Sequence, residues 1–352
     1  MKGRLAFAAA GLLLGLVAVA AILGRAYTVG NGEPEARVEV EAGATLQTVA
    51  DRLAQRGLLG SRRVFLLAAR LSGRDRALQV GTFVLPADAS ARDILAILVG
   101  GPPVPVVVTL REGLEAADMV ALVADSLRLD PDAILAAADR RVQDGADTLM
   151  APQTRDALAA VVAGGPRPSG RPLHWCEGYL APDTYHFTLG LDAAHVAAAM
   201  VDLQLSRLAQ AGAQRGRYHE LLTLASLVES EARLPQERSL IAAVYRNRLQ
   251  RGLRLEADPT VAFWLGKRGQ RLLYRDLEVD SPYNTYRRSG LPLAPIMAPG
   301  AAAVAAAAAP DSLCRALYFV ADGEGGHVFS ETLDEHNRAV ARYRELMRTR
   351  RR

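Results

Sequence analysis

Residues 221–252 read LLTLASLVESEARLPQERSLIAAVYRNRLQRG, two helical patterns separated at Pro235, and they restrict the fold more than any other stretch. At about 100° per residue, Leu221, Leu222, Leu224, Ala225, Leu227 and Val228 gather on one broad side, while Thr223, Ser226 and Ser230 take the other. Proline cannot continue a helix interior, so the chain turns there. A second helix then places Leu240, Ile241, Val244, Tyr245 and Leu249 on one face, with Gly252 past its end. The spacing predicts two packed helices meeting at a tight corner. Glu229 and Glu231 do not join the polar side; each lies near one margin of the apolar stripe, about 160° apart by the same geometry.

A carboxyl pressed against apolar side chains loses hydration, which raises its pKa and makes it a proton donor near neutrality. The alternative is that both acids reach outward or pair with Arg233, Arg238, Arg246 or Arg248, all close in sequence. Helical projection does not choose between the two acids.

With 352 residues, half of them hydrophobic, the chain is long enough for two or three domains with real cores. A net charge of +4 is small for this length, and much of it sits in the Arg-rich end, residues 347–352. Neither a phosphate-binding glycine loop nor interleaved aromatic and basic residues is present, so nucleic acid is not an expected partner. The six histidines are scattered and the two cysteines, Cys176 and Cys314, are far apart without ligand spacing. No metal or other cofactor is expected, and two separate structural thiols are the simpler reading.

Residues 5–24 form an uncharged apolar run after Lys2 and Arg4, long enough to cross about 30 Å of hydrocarbon as a helix. An uncleaved anchor is expected for residues 1–25, with the N-terminus in the cytoplasm by the positive-inside rule. That placing predicts a single-pass protein of the cytoplasmic (inner) membrane, with the remainder periplasmic or extracytoplasmic. A linker follows at 26–36. Alternation from Arg37, helical spacing at Leu46, Val49, Ala50 and Leu53, a helix near 62–71, a strand near 81–86 and a helix opening at Ser90 give a β-α-α-β module over 37–103. Its order resembles a LysM-type glycan-binding module; a plain spacer is the alternative. A connecting α+β region over 104–200 and an α+β domain over 201–346 complete the expected architecture, an α+β fold behind a transmembrane helix.

Downstream, residues 255–266, 281–300 and 317–337 are polar loops rich in Tyr, Asn, Thr and Asp, side chains suited to hydroxyl-rich ligands. The ordered series ASLVESEA, YRNRL, ADPTV, SPYNTYRRSGLP, API with APG, and YFVADGEGGHVFSETLDEHN is similar to the endolytic murein lytic transglycosylases, the MltG or YceG-like family. The resemblance is strong over about residues 175–340 and looser over the anchor and the small module. Leu180 and Ala181 stand where the family usually has bulkier apolar residues, and Leu293 and Ala294 near a more usual Pro-Gly.

The family's catalytic glutamate falls on the second acid of V-E-x-E-[TA], here Glu231. What the resemblance implies is cleavage of the β-1,4 bond between N-acetylmuramic acid and N-acetylglucosamine in peptidoglycan strands without water. Glu231 would protonate the departing oxygen and then deprotonate the muramic 6-hydroxyl, leaving a 1,6-anhydro end and ending the elongation of nascent strands. Glu229, Asp258, Tyr283, Asn284, Thr285 and Tyr286 are the expected substrate-binding residues, and peptidoglycan synthases are expected partners. A hydrolytic muramidase with Glu229 or Asp258 as second carboxylate, and a noncatalytic cell-wall scaffold, are the alternatives.

Overall fold

The computed structural model describes residues 2–28, 30, 32, 34–74 and 76–350, with only the helix backbone given for 2–10 and 12. Residues up to Val107, together with His186–Leu191, form one compact unit; Val108–Tyr185 and the chain from Asp192 onward form another.

The first unit begins with helix α1 (Lys2–Thr28) and continues through β1 (Ala36–Val40), α2 (Leu46–Gln55), α3 (Arg62–Leu71), β2 (Gly81–Leu85) and α4 (Ala91–Gly100). β1 and β2 pair antiparallel with Val38 opposite Phe83. Each helix starts where an oxygen-bearing side chain caps it: Thr45, Ser61 and Ser90 accept from the third residue of their helices. Val38, Val40, Leu53, Phe65, Phe83, Ile94 and Leu95 make its core, so the β-α-α-β order closes on a single apolar centre.

Among the described residues, no helix is long and apolar enough to cross a membrane. This corrects the expected single-pass anchor, and with it the inner-membrane location, the topology and the membrane as a partner. Where side chains of α1 are described without interruption, the uncharged stretch covers residues 13–24, roughly 18 Å at helical rise against about 30 Å of hydrocarbon. It ends at Arg25, and Tyr27 packs on the core of the first unit. Residues 5–10 and 12, on which the expectation also rested, lie outside the described side chains.

After α4 the chain runs through β3 (Val106–Thr109), α5 (Ala116–Leu127), α6 (Pro131–Leu149), α7 (Pro152–Ala163), β4 (Thr184–Phe187), α8 (Ala193–Gln210), α9 (Tyr218–Glu231), α10 (Arg238–Gln250), α11 (Asp258–Leu265), α12 (Ala301–Ala308), β5 (Tyr318–Ala321), β6 (His327–Ser330) and α13 (Leu333–Arg350); all of these belong to the second unit except the first two residues of β3 and the last two of β4. Sheets among the described residues are two-stranded: β1 with β2, β3 with β4, β5 with β6. The expected balance of α and β is therefore corrected as well: the chain is mostly α-helical with some β-sheet, because helices supply most of the core while strands of four or five residues form only two-stranded sheets among the described residues.

α9 is the centre of this unit, packed by α8, α10, α11 and α12. Its polar side is not solvated. Thr223 and Ser226 are buried, and their hydroxyls donate to His219 O and Thr223 O at 2.7 Å each, while Ser226 Oγ accepts from Ile296 N. A short hydroxyl that satisfies itself on its own helix backbone can enter a core that a longer polar side chain could not. Pro235 makes the corner as a 3-10 turn over Pro235–Glu237 before α10 begins.

Residues 177–185 lie largely inside the second unit. Gly178 has φ +79°, and a Cβ there would stand 2.4 Å from Pro295 Cβ, so only glycine fits. Buried Glu177 accepts from Ala116 N, and Arg167 donates to Glu115 at 2.6 Å while stacking on Phe263 at 4.0 Å. Burial first, and then the Glu115 carboxylate, push Glu177 up to about 7.

Candidate active site

Glu231 is the last residue of α9, where unsatisfied carbonyls already disfavour negative charge. It opens into a hollow of about 320 Å³ in the second unit, walled by Tyr245 and Arg248 from α10, Glu256 and Asp258 before and at the start of α11, Tyr286, Tyr318 and Phe319 of β5, and His336 of α13. Burial, and secondarily the Asp258 carboxylate, push Glu231 up to about 7, against the opposing pull of the Tyr245 hydroxyl and Arg233. A carboxyl so placed still holds its proton near neutrality and becomes a base after losing it.

The walls are built to stay put. Arg248 donates to Arg254 O at 2.7 Å, Leu317 O at 3.0 Å and the Glu256 carboxylate at 2.5 Å, and lies 5.4 Å over the Tyr318 ring. Glu256 has φ +52°, a left-handed conformation uncommon for a side-chain-bearing residue; its carboxylate is held by Arg248 and its N–H donates to Thr285 O. Asp258 starts α11, next to Pro259, and accepts from Tyr286 Oη at 2.6 Å. His336 stacks on Tyr318 with centroids 5.2 Å apart, and burial and Arg248 lower its pKa, which favours the neutral ring.

Of the residues expected from the sequence, Glu231, Asp258 and Tyr286 come together in this hollow. Glu229 goes elsewhere: its carboxylate accepts from Gly300 N at 3.0 Å, at the start of α12, a favourable place for an anion. Burial raises its pKa, partly offset by that bond. Tyr283, Asn284 and Thr285 lie beneath the surface. Tyr283 packs against Phe263 and Trp264, at 5.1 and 5.7 Å. Asn284 donates to Leu277 O and Val279 O and accepts from Tyr286 N, so it holds the loop that presents Tyr286. Thr285 Oγ1 accepts from Ala257 N and meets Thr260, fixing the entry to α11.

The sequence placed Tyr245 only on a packing face and Arg248 only as a possible partner of the acids, and it did not single out Glu256, Tyr318, Phe319 or His336. Their signal was in plain sight: each lies in one of the quoted motifs or one residue before it, but type alone does not separate a cleft wall from a core residue. A larger hollow of about 560 Å³ between α9, α10 and α12 has Glu220 as its acid, which is exposed and bound by Arg217, so its size carries no chemistry.

Comparison with known proteins gives the family. The model of the YceG-like family matches residues 38–342. A Bacillus subtilis (strain 168) protein named endolytic murein transglycosylase is 30% identical over 318 residues, covering 87% of this chain and 84% of that protein. One of the same name from Streptococcus pneumoniae (serotype 2, strain D39) is 30% identical over 336 residues, covering 89% of this chain, which spans 59% of that relative's length. A crystal structure of a YceG-like protein from Listeria monocytogenes superposes with a TM-score of 0.52 at 27% identity, covering 86% of this chain and 98% of that one. With its family model matched over most of its length and a relative of that name aligned nearly end to end, the chain belongs to the YceG-like family of endolytic murein transglycosylases.

Proposed function

We propose that the protein cuts peptidoglycan glycan strands internally, at the β-1,4 bond between N-acetylmuramic acid and N-acetylglucosamine, without water. The observation that carries this reading is a single carboxyl, Glu231, raised to about 7 inside a hollow walled by Tyr, Arg and His side chains. Glu231 gives its proton to the glycosidic oxygen as the bond to C1 breaks. The muramic 6-hydroxyl then bonds to C1 and its proton returns to Glu231, so one group serves as acid and base and the product ends in a 1,6-anhydro ring. Asp258, held by Tyr286, keeps the proton on Glu231 until it is needed. Tyr286, Tyr318 and His336 supply ring faces and polar edges for sugar contacts, and the β-α-α-β unit serves as a LysM-like glycan-binding module.

Asp258 beside Glu231 also supports a second reading, a hydrolytic muramidase in which two carboxylates share the work. Mass spectrometry of fragments released from purified glycan strands separates the two. Anhydro-muramic ends support the transglycosylase, and reducing ends carrying an added water overturn it.

A further inference from the structure

Tyr245 is about 1% exposed, yet its hydroxyl makes no hydrogen bond of normal geometry. A buried hydroxyl left without a partner costs free energy, and Phe would fill the same space without that cost. The ring is held from below by Phe319, edge to face at 5.9 Å, and α10 packs on α9, so the hydroxyl is fixed beside Glu231 in the wall of the hollow. Burial raises Tyr245 well above the usual phenol range, so it stays protonated and serves only as a donor toward a carboxylate.

We infer that Tyr245 is a positioning residue whose hydroxyl closes onto Glu231 when Glu231 gives up its proton, stabilising the carboxylate in the interval before the proton returns. This rests on the reading of Glu231 as the acid. No covalent bond changes at Tyr245: its O–H donates to a Glu231 oxygen as charge develops there and lets go when the carboxyl is restored. The other groups facing Glu231 divide by sign. Asp258 on α11 opposes the charge, Arg233 just past α9 favours it, Arg248 on α10 is committed to Glu256, and Tyr286 to Asp258. Tyr318 of β5 and the neutral-favoured His336 of α13 complete the wall. Of the neutral groups in the wall, Tyr245 is the fully buried one whose hydroxyl bears on Glu231 while making no other hydrogen bond among the described residues.

The test is Tyr245→Phe in the whole protein, with release of fragments from purified glycan strands followed across pH, beside Glu231→Gln and with unfolding recorded for each. Loss of the donor makes Glu231 a weaker acid. The maximal rate should fall about tenfold and the alkaline limb should move up by about one pH unit, while stability is unchanged or higher. A fall in rate with an unmoved limb, or no fall, overturns the role of Tyr245 if Glu231→Gln is inactive. Wild-type turnover by Glu231→Gln would instead overturn the reading of Glu231 itself, and the inference with it.

Discussion

Replacing Glu231 by Gln should stabilise the protein in alkali and leave it unchanged in acid. In the fold the carboxyl titrates near 7, against an ordinary 4.5. Below about pH 4.5 it is protonated in folded and unfolded chains alike, and the variant gains nothing. Between about 4.5 and 7 the unfolded chain ionises while the folded one holds its proton, so wild-type stability falls as pH rises. Above 7 the full cost is present. A shift of this size at about 1.4 kcal/mol per unit corresponds to about 3 kcal/mol. Because Glu231 is half-buried and the hollow admits water, screening leaves roughly 1–2 kcal/mol of it. Gln has nearly the same shape and carries no charge, so the variant should exceed wild type by that amount at about pH 8 and match it at about pH 4. Thermal or urea unfolding of the unit holding α9, run on both proteins at both pH values, reads the difference directly; other buried acids such as Glu177 are common to both and cancel. A variant no more stable than wild type at the higher pH, or equally favoured at both, would refute the desolvated-acid argument.

In the glycan-cleavage assay, Glu231→Gln should lose about 10²–10⁴-fold in rate, and Glu229→Gln far less, since an amide oxygen can still accept from Gly300 N; the reverse order would reassign the acid. Asp258→Asn removes the negative neighbour that raises Glu231, so the alkaline limb of kcat/KM should move down, and an unmoved limb would show that Asp258 acts only on the loop. Asn284→Ala removes a buried side chain that ties the part-buried carbonyls of Leu277 and Val279, and urea unfolding should register a loss of about 2–4 kcal/mol, with a loss under about 0.5 kcal/mol counting against the loop-holding role.

Much of the local structure was legible because it depends on neighbours along the chain. Helical spacing placed α2, α3 and α10, Ser90 marked the start of α4 and Pro235 the corner, since capping and the missing N–H of proline act within a turn. Motif order supplied the family and the choice of Glu231 over Glu229, which helical periodicity left open.

Neighbouring residues along the chain were thus enough for those helix starts and the corner, for the family and for a pair of acids set apart on one helix. Only the tertiary structure decided what each acid meets. Glu229 finds the N–H of Gly300, the cap residue before α12 and some 70 residues on, and Glu231 finds Asp258, Tyr245 and the strand β5. It also decided that Asn284 and Thr285 brace the loops beneath the cleft, and that Thr223 and Ser226 are buried although their periodicity reads as a solvated face. The physical reason is the same in each case: desolvation and hydrogen-bond partnership are set by groups distant in sequence, and residue type specifies only what a side chain can do once those groups arrive.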